Sequence, residues 1–408
     1  MLLVERGDIA QATSSASSKL IHGGLRYLEQ YKFRLVREAL EEREILLRTA
    51  PHIVHPMRFV LPHRTGMRPL WMIGLGLGLY DRLGGRRGLP GCERVDLADP
   101  AWNGGLEIAA QNGFAYTDCT VDDSRLVVLA AVNAARRGAE ILTRTRLTGL
   151  RRNDKGWIGT LETSPGTPGE IAARAVVNAA GPWADHVRAT VDGAKVFRRL
   201  RLVKGSHIVV PRLHSGDHAF ILSHDDGRVV FVIPYAEHYS LIGTTDVGVE
   251  KPDGNGAPNF EEIVYLCGVV NDYFWTALGP EQVVWGYAGV RALYDDGKAD
   301  PASVARDYVL DLDVGDRGGE GGKSPMLSVF GGKITTARRL AERAMKQLAP
   351  YFPDLGPAWT AETPLLGGDT GPIEAFVRVL SLKPPGLRQG LAQGARPTPR
   401  DARLFHSQ

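Results

Sequence analysis

The sequence is poor in cysteine. Cys92, Cys119 and Cys267 are scattered over 408 residues, and no two form a C-x-x-C pair. That argues against a disulfide framework or a zinc module and suits a reducing compartment. His52 and His55 sit three apart near prolines, with no third ligand in view, so no metal site is expected. Long apolar runs are missing too. The longest, WMIGLGLGLY from Trp71 to Tyr80, falls well short of the about 20 residues that span a bilayer. A buried helix is expected there. A membrane-surface helix is the alternative, because Arg68, Arg82, Arg86 and Arg87 flank the run. The opening MLLVERGD has no basic stretch and too short an apolar core for a signal peptide. Net charge is only +3, so no nucleic-acid partner is expected, but 49 basic residues leave room for a local anion site. Internal repeats are absent.

What is present is an α/β chain. Hydrophobic residues make up 43% and charged residues 23%, which suits a soluble protein with a sizeable core. MLLVE reads as a buried parallel strand ending at Glu5. Apolar residues at helical spacing run from Phe33 to Ala50, and Pro51 stops them. From Val121 a helix, started by Asp122 or Asp123 and closed by Gly138, leads into a strand. A further buried strand breaks at Gly181-Pro182. The middle is β-rich: LVKGSHIVVP, AFILSHDDGRVVFVIPY and YSLIGTTD, with Asp-Asp-Gly as a hairpin signal. SVFGGKITTARRLAERAMKQLAP reads as strand, glycine turn and amphipathic helix. Residues 313–325 read as a glycine-rich loop, and from Lys383 the composition is that of a disordered tail.

Several stretches carry chemistry. An acid at a strand end, as at Glu5, can hold a ribose hydroxyl of a dinucleotide, or it can be an ordinary strand-end carboxylate. ATSSASSKLIHGG, residues 12–24, combines hydroxyls and free N–H groups, which hold phosphate oxygens, with glycines that admit a flat ring. VVNAAGPWA places Gly181 after a strand, as a ligand approach or a plain turn. FGGKITTARR puts glycines, Lys333 and two threonines at a helix start, where partial positive charge stabilises an anion. Thr335 and Thr336 could equally be caps. His207 follows Lys204-Gly205-Ser206 on an otherwise apolar strand, as a candidate base or a satisfied core histidine.

Taken together, these stretches resemble the FAD-dependent, quinone-linked glycerol-3-phosphate dehydrogenases. The pieces that carry the resemblance are LLVERGDIAQATSSASSKLIHGGLRYLEQYKFRLVREALEER, APHIVHPMRFVLPH, VNAAGPWAD, KGSHIVVP, IGTTD, GYAGVRAL, RDYVL and FGGKITTARR, in that order over roughly residues 2–345. The resemblance implies a Rossmann-like FAD-binding domain with an inserted antiparallel β substrate domain, as in D-amino-acid-oxidase-like flavoproteins. Glu5 would hold the adenosine ribose, and Thr13, Ser14 and Ser18 would run along the pyrophosphate or flavin side. Lys19, Leu20, His22 and Gly23 would line the isoalloxazine, Leu147 would meet the adenine, and Gly181 the middle of FAD. Gly332, Lys333, Ile334 and Thr335 would cover the pyrimidine end. On the substrate side, Arg26 and Arg291 match a phosphate clamp, with Tyr27 adding a hydroxyl. His207 matches the base, and Lys333 would orient substrate or stabilise charge on reduced flavin.

The implied reaction is oxidation of sn-glycerol 3-phosphate to dihydroxyacetone phosphate by hydride transfer to FAD. A quinone would take the electrons at the cytoplasmic face of the inner membrane, where the protein would be peripheral, with a homodimer as a further implied partner. The alternatives are a glycerol-3-phosphate oxidase using oxygen and a non-catalytic remnant. The last arises because the family has a strand and G-x-G-x-x-G loop ahead of LLVE, and residues 1–4 cannot hold one. Weak or absent FAD binding, an unpaired sheet edge and truncation at both ends are therefore expected. The expected division is an FAD-binding domain in residues 1–70, 116–195 and 291–350, a cap or substrate segment in 71–115, and an antiparallel substrate domain in 196–290. Residues 351–408 would be a truncated, disordered tail.

Overall fold

The computed structural model describes residues 1–64, 66–84, 88–107, 112–163, 168–193, 199–254, 256–295, 307–315 and 324–369. Its centre is a ten-stranded mixed sheet. Leu200–Pro211 is flanked by Val247–Val249 and Tyr239–Gly243 and also pairs with Trp285–Tyr294. The sheet continues through Val229–Tyr235 and Ala219–Ser223 to Val54–Pro62, Asn112–Val121 and Leu20–Ile21. All these pairs are antiparallel except Ala219–Ser223 with Val54–Pro62. The expected Asp-Asp-Gly turn joins Ala219–Ser223 to Val229–Tyr235, with Gly227 at φ +75°.

Period-two alternation sorts the Leu200–Pro211 strand. Ile208 and Val210 pack with Leu266, Val269 and Val270 of the Phe260–Asn271 helix. Val209 packs on the other face with Leu20, Leu40, Leu77 and Tyr287, so His207 points to that side as well. The Phe260–Asn271 helix is not anticipated by the β reading of the middle. Its signal is local: Asn259 accepts from Glu262 N–H while Glu262 accepts from Asn259 N–H, a reciprocal cap.

Smaller elements flank the large sheet. Leu2–Val4 pairs in parallel with Glu140–Leu142, and among the described residues no strand pairs its other edge. Val176–Asn178 pairs in parallel with Met326–Phe330. These strands are less buried than expected. Leu3 is 36% and Val177 48% exposed, because the side chains of both face an open cleft. The Asp123–Arg136 helix is capped by Asp122, whose Oδ1 accepts from Arg125 N–H at 3.0 Å. Gly138 follows it at φ +87°.

The Trp71–Tyr80 run is helical, within Leu70–Gly84, but it is not the buried helix expected. Only Leu77 and Tyr80 are buried, while Trp71 and Leu75 are 64% and 66% exposed. An apolar residue on every face leaves an outward stripe when one face alone meets the core. Arg86 and Arg87 lie outside the described residues, as does most of the glycine-rich stretch, at 316–323.

Hydrogen bonding also cuts across the expected divisions. Val54–Pro62, assigned to the FAD-binding part, belongs to the large sheet. The 115/116 and 290/291 boundaries fall inside the Asn112–Val121 and Trp285–Tyr294 strands. Residues 351–369 are not a loose tail. Leu365 N–H donates to Thr49 O at 2.8 Å, and Thr360 donates to Glu342 at 2.6 Å. The remainder of that tail lies outside the described residues.

Candidate active site

A cleft of about 4170 Å³ runs from the Leu2–Val4 strand, past residues 176–181, to the large sheet at Val209, Leu241 and Tyr287. Glu5, Thr13, Ser14, Lys19, Leu147 and Gly181 line it. Glu5 Oε1 accepts from Gly7 N–H at 2.8 Å, which fixes the carboxylate at the strand end. Gly181 has φ +53° and no atom within 4 Å of an added Cβ, so the backbone is open to a ligand. An extended chain of acid, hydroxyls and bare glycine backbone fits a dinucleotide. Two further groups are already engaged. Thr13 donates to Val290 O at 2.8 Å. Lys19 Nζ lies 2.7 Å from Asp123 Oδ1, whose side chain is 1% exposed, so the lysine's charge is balanced from behind. Asp123, which also accepts from Ser17 Oγ at 2.7 Å, reads in the sequence only as a helix start.

The other expected cofactor residues lie beside or behind this wall. Leu20 is 3% exposed and packs in the core. Ile334 packs against the cluster of Ile21 and Leu46. Gly23 is closed off by Tyr80 Oη and Leu40, both under 3 Å from an added Cβ. Gly332, at φ +110°, leads into Lys333 and the Ile334–Thr336 turn. Thr336 occupies the N-cap position of the Ala337–Leu348 helix, but its side chain makes no capping hydrogen bond. Thr335 Oγ1 instead accepts from His22 N–H at 3.4 Å. Lys333 Nζ sits 3.9 Å from the centre of the Tyr27 ring. His22, Tyr27, Lys333 and Thr335 therefore form one group, pinned where Arg338 bonds Glu42 at 2.8 Å and Arg343 bonds Glu38 at 2.7 Å. Burial and then Lys333 push the His22 imidazole down to about 4.

A second group surrounds His207. Its Nε2 is 2.9 Å from Ser18 Oγ, and its ring stacks on Tyr287 at 4.9 Å. Tyr287, opposite His207 in register, donates to Ser17 O at 2.8 Å. On the other side is Gly243, where an added Cβ would strike the imidazole at 2.0 Å. Nδ1 has no partner among the described residues. Burial, then Arg291 and Lys19, push His207 down to about 3, so it is neutral, as a base must be. Arg291 is not a bare cation. It pairs with Asp246, and its Nη2 donates to Thr244 Oγ1 at 2.9 Å. Arg26 opens the short Arg26–Glu29 helix next to Tyr27, on a different element from Arg291. Thr244 and Asp246 belong to the IGTTD stretch that carries the resemblance, and nothing in the local sequence assigns either a role.

The buried neutral imidazoles carry a pH signature. His214 is also pushed down, to about 4, by burial and then His218. The unfolded chain takes up these protons near pH 6.5, before the folded one does, so stability is full above pH 6.5 and falls as pH drops toward the folded values. At pH 5 each of His22, His207 and His214 costs about 2 kcal/mol. Asp118, which burial lifts to about 6 despite Arg43, returns about 1 kcal/mol in the opposite sense. Denaturant unfolding at pH 7 and pH 5 should therefore differ by roughly 5 kcal/mol, and equal midpoints would contradict the buried neutral assignment.

The fold and its cleft suit an oxidoreductase that binds an extended dinucleotide. Residues 1–338 match the family model for FAD dependent oxidoreductase, and the chain belongs to that family, whose cofactor is FAD. Among relatives, it is 52% identical to D-erythritol 1-phosphate dehydrogenase of Brucella abortus, over 93% of this chain and 75% of that protein. It is 49% identical to glycerol-3-phosphate dehydrogenase of Pseudomonas aeruginosa, over 96% and 75% respectively. In structure it is similar to the glycerol-3-phosphate dehydrogenase from Bacillus halodurans complexed with FAD, with TM-score 0.69 and 26% identity, over 96% of this chain and 67% of that one.

Proposed function

We propose that this chain oxidises sn-glycerol 3-phosphate at C2 to dihydroxyacetone phosphate. The observation that carries the reading is His207: a buried, neutral imidazole bonded to Ser18 of the glycine- and hydroxyl-rich segment, beside the Arg291–Thr244–Asp246 group. FAD, when bound, accepts the hydride that leaves C2. His207 takes the proton of the C2 hydroxyl. Arg291, with Arg26 and Tyr27, holds the phosphate, and a guanidinium suits bidentate phosphate binding. Lys333, over Tyr27, orients the substrate. Glu5, Thr13, Ser14, Lys19, Leu147 and Gly181 hold the cofactor along the cleft. The test is anaerobic addition of glycerol 3-phosphate to the purified chain supplied with FAD, followed by loss of flavin absorbance. A protein that is colourless and gains no thermal stability from added FAD would sink the reading.

A second substrate is favoured by a specific observation, the 52% identity to a D-erythritol 1-phosphate dehydrogenase. That longer polyol phosphate presents a secondary alcohol and a phosphate to the same groups. Faster flavin reduction by D-erythritol 1-phosphate than by glycerol 3-phosphate would decide for it.

The electrons go to a quinone at a membrane surface in this reading, on the cytoplasmic face. Among the described residues no helix is long and apolar enough to cross a membrane. The Leu70–Gly84 helix instead exposes Trp71, Met72, Leu75 and Leu79 at helical spacing, with Arg68 before and Arg82 after them. Leu75→Glu should weaken cosedimentation with anionic vesicles by about tenfold or more and leave turnover with a soluble dye acceptor intact. Undiminished cosedimentation would remove the helix from the membrane contact. Peroxide formed in step with turnover would replace the quinone by oxygen. A homodimer completes the reading, and sedimentation velocity tests it directly.

A further inference from the structure

The helix that exposes Trp71 and Leu75 has an inner face that reaches the segment read above as the cofactor's bed. Tyr80, 1% exposed, accepts from Gly23 N–H at 2.8 Å and donates to Asp118 Oδ2 at 2.6 Å. Asp118, itself 1% exposed, accepts from Arg43 Nη1 at 2.9 Å. Arg43 also donates to Thr117 O at 2.8 Å and to Glu44 at 2.9 Å. Three elements thus converge on one backbone amide: the Phe33–Thr49 helix through Arg43, the Leu70–Gly84 helix through Tyr80, and the Asn112–Val121 strand through Asp118. The approach is close, since an added Cβ at Gly23 would lie 2.6 Å from Tyr80 Oη.

The direction of the hydrogen bonds matters. An ionised Asp118 can only accept, so it fixes the Tyr80 proton toward itself and leaves an oxygen lone pair for Gly23 N–H. Gly23 follows His22, whose own N–H meets Thr335, two residues after Lys333. We propose that Tyr80 is a positioning residue: its hydroxyl, oriented by Asp118 and Arg43, sets the His22-Gly23 backbone against the Lys333–Thr335 turn for the reaction. The inference rests on the proposed dehydrogenase reading for its catalytic consequence, but its geometric part stands on the hydrogen bonds alone.

Protonation of Asp118 turns an acceptor into a donor and disrupts this orientation. Burial raises this carboxyl to about 6, against the pull of Arg43 and the bonds from Tyr80 and Gly23. The titratable and charged groups around it are Arg43 and Glu44 from one helix, Tyr80 from the other, and Tyr116 and Cys119 on its own strand.

The test uses the full chain with FAD and three variants. Tyr80→Phe keeps the ring and loses the hydroxyl, Asp118→Asn removes the titration, and Tyr116→Phe is the control for a hydroxyl lost from the same cluster. Tyr80→Phe should lower kcat/KM for glycerol 3-phosphate about tenfold, mainly through kcat, and Tyr116→Phe should not. The wild-type acid limb near pH 6 should disappear in Asp118→Asn. Independently of activity, hydrogen exchange of the peptide containing Gly23 should quicken about tenfold or more in Tyr80→Phe at unchanged exchange elsewhere. Wild-type kinetics and wild-type exchange in Tyr80→Phe would overturn the proposal. So would a loss of melting temperature and of both kinetic constants shared equally by Tyr116→Phe. If the wild type reduces no flavin, the dehydrogenase reading fails separately, and the exchange measurement alone then decides for or against Tyr80.

Discussion

Replacing His207 by Gln lowers the rate of flavin reduction by glycerol 3-phosphate about 10²–10⁴-fold, the span expected on losing a positioned proton acceptor. Gln retains an amide that can meet Ser18 Oγ, and it fills most of the space between Tyr287 and Gly243. What it lacks is basicity. In the free protein His207 is a poor base as well, because burial, Arg291 and Lys19 all oppose its charge. A phosphate dianion held by Arg291 offsets that cation. The imidazole therefore gains proton affinity when a phosphorylated substrate arrives, by an electrostatic effect that an unphosphorylated polyol cannot supply. Rapid mixing under anaerobic conditions reads the reductive step apart from reoxidation. A full rate in His207→Gln would remove the base. A glycerol rate as fast as that with glycerol 3-phosphate would remove the electrostatic coupling.

The limits of reading this chain from sequence follow the same physics. A lone imidazole on an apolar strand is legible at His207, because period-two alternation leaves few reasons for it. The strand, glycine turn and helix that end at Leu348 are legible too, since hydrophobic spacing and paired glycines are local signals. The charge partners are not. Asp123 is 104 residues from Lys19, and Asp246 is 45 from Arg291. Each reads locally as an ordinary acid, one at a helix start and one in a turn. Tyr80 hides in the apolar run best explained by burial, yet its hydroxyl meets a backbone amide 57 residues away. The run's outward stripe is hidden for a related reason: an all-round apolar helix does not declare which face the core will take. The divisions at 115/116 and 290/291 fall inside strands because sheet pairing ignores chain order.

Arg291→Ala should lower kcat/KM for glycerol 3-phosphate by about 10²-fold, chiefly through KM, because a charge-assisted clamp on the phosphate is lost. The loss has a second source. Arg291 now balances Asp246, and truncation leaves that carboxylate facing an incoming dianion. Adding Asp246→Asn to Arg291→Ala should therefore restore part of the affinity, by about three- to tenfold, whereas Asp246→Asn alone should loosen the guanidinium held by Thr244. Arg291→Lys keeps the charge but loses the planar fork, so it should fall between wild type and Ala. Turnover of glycerol, slow because it lacks the phosphate, should be insensitive to all of these changes. Initial-rate kinetics over a range of substrate concentrations reads the difference. An unchanged KM in Arg291→Ala would move the clamp elsewhere, to Arg26 and Lys333 beside Tyr27. Additive losses in the double variant would show that Asp246 orients the arginine without opposing the phosphate.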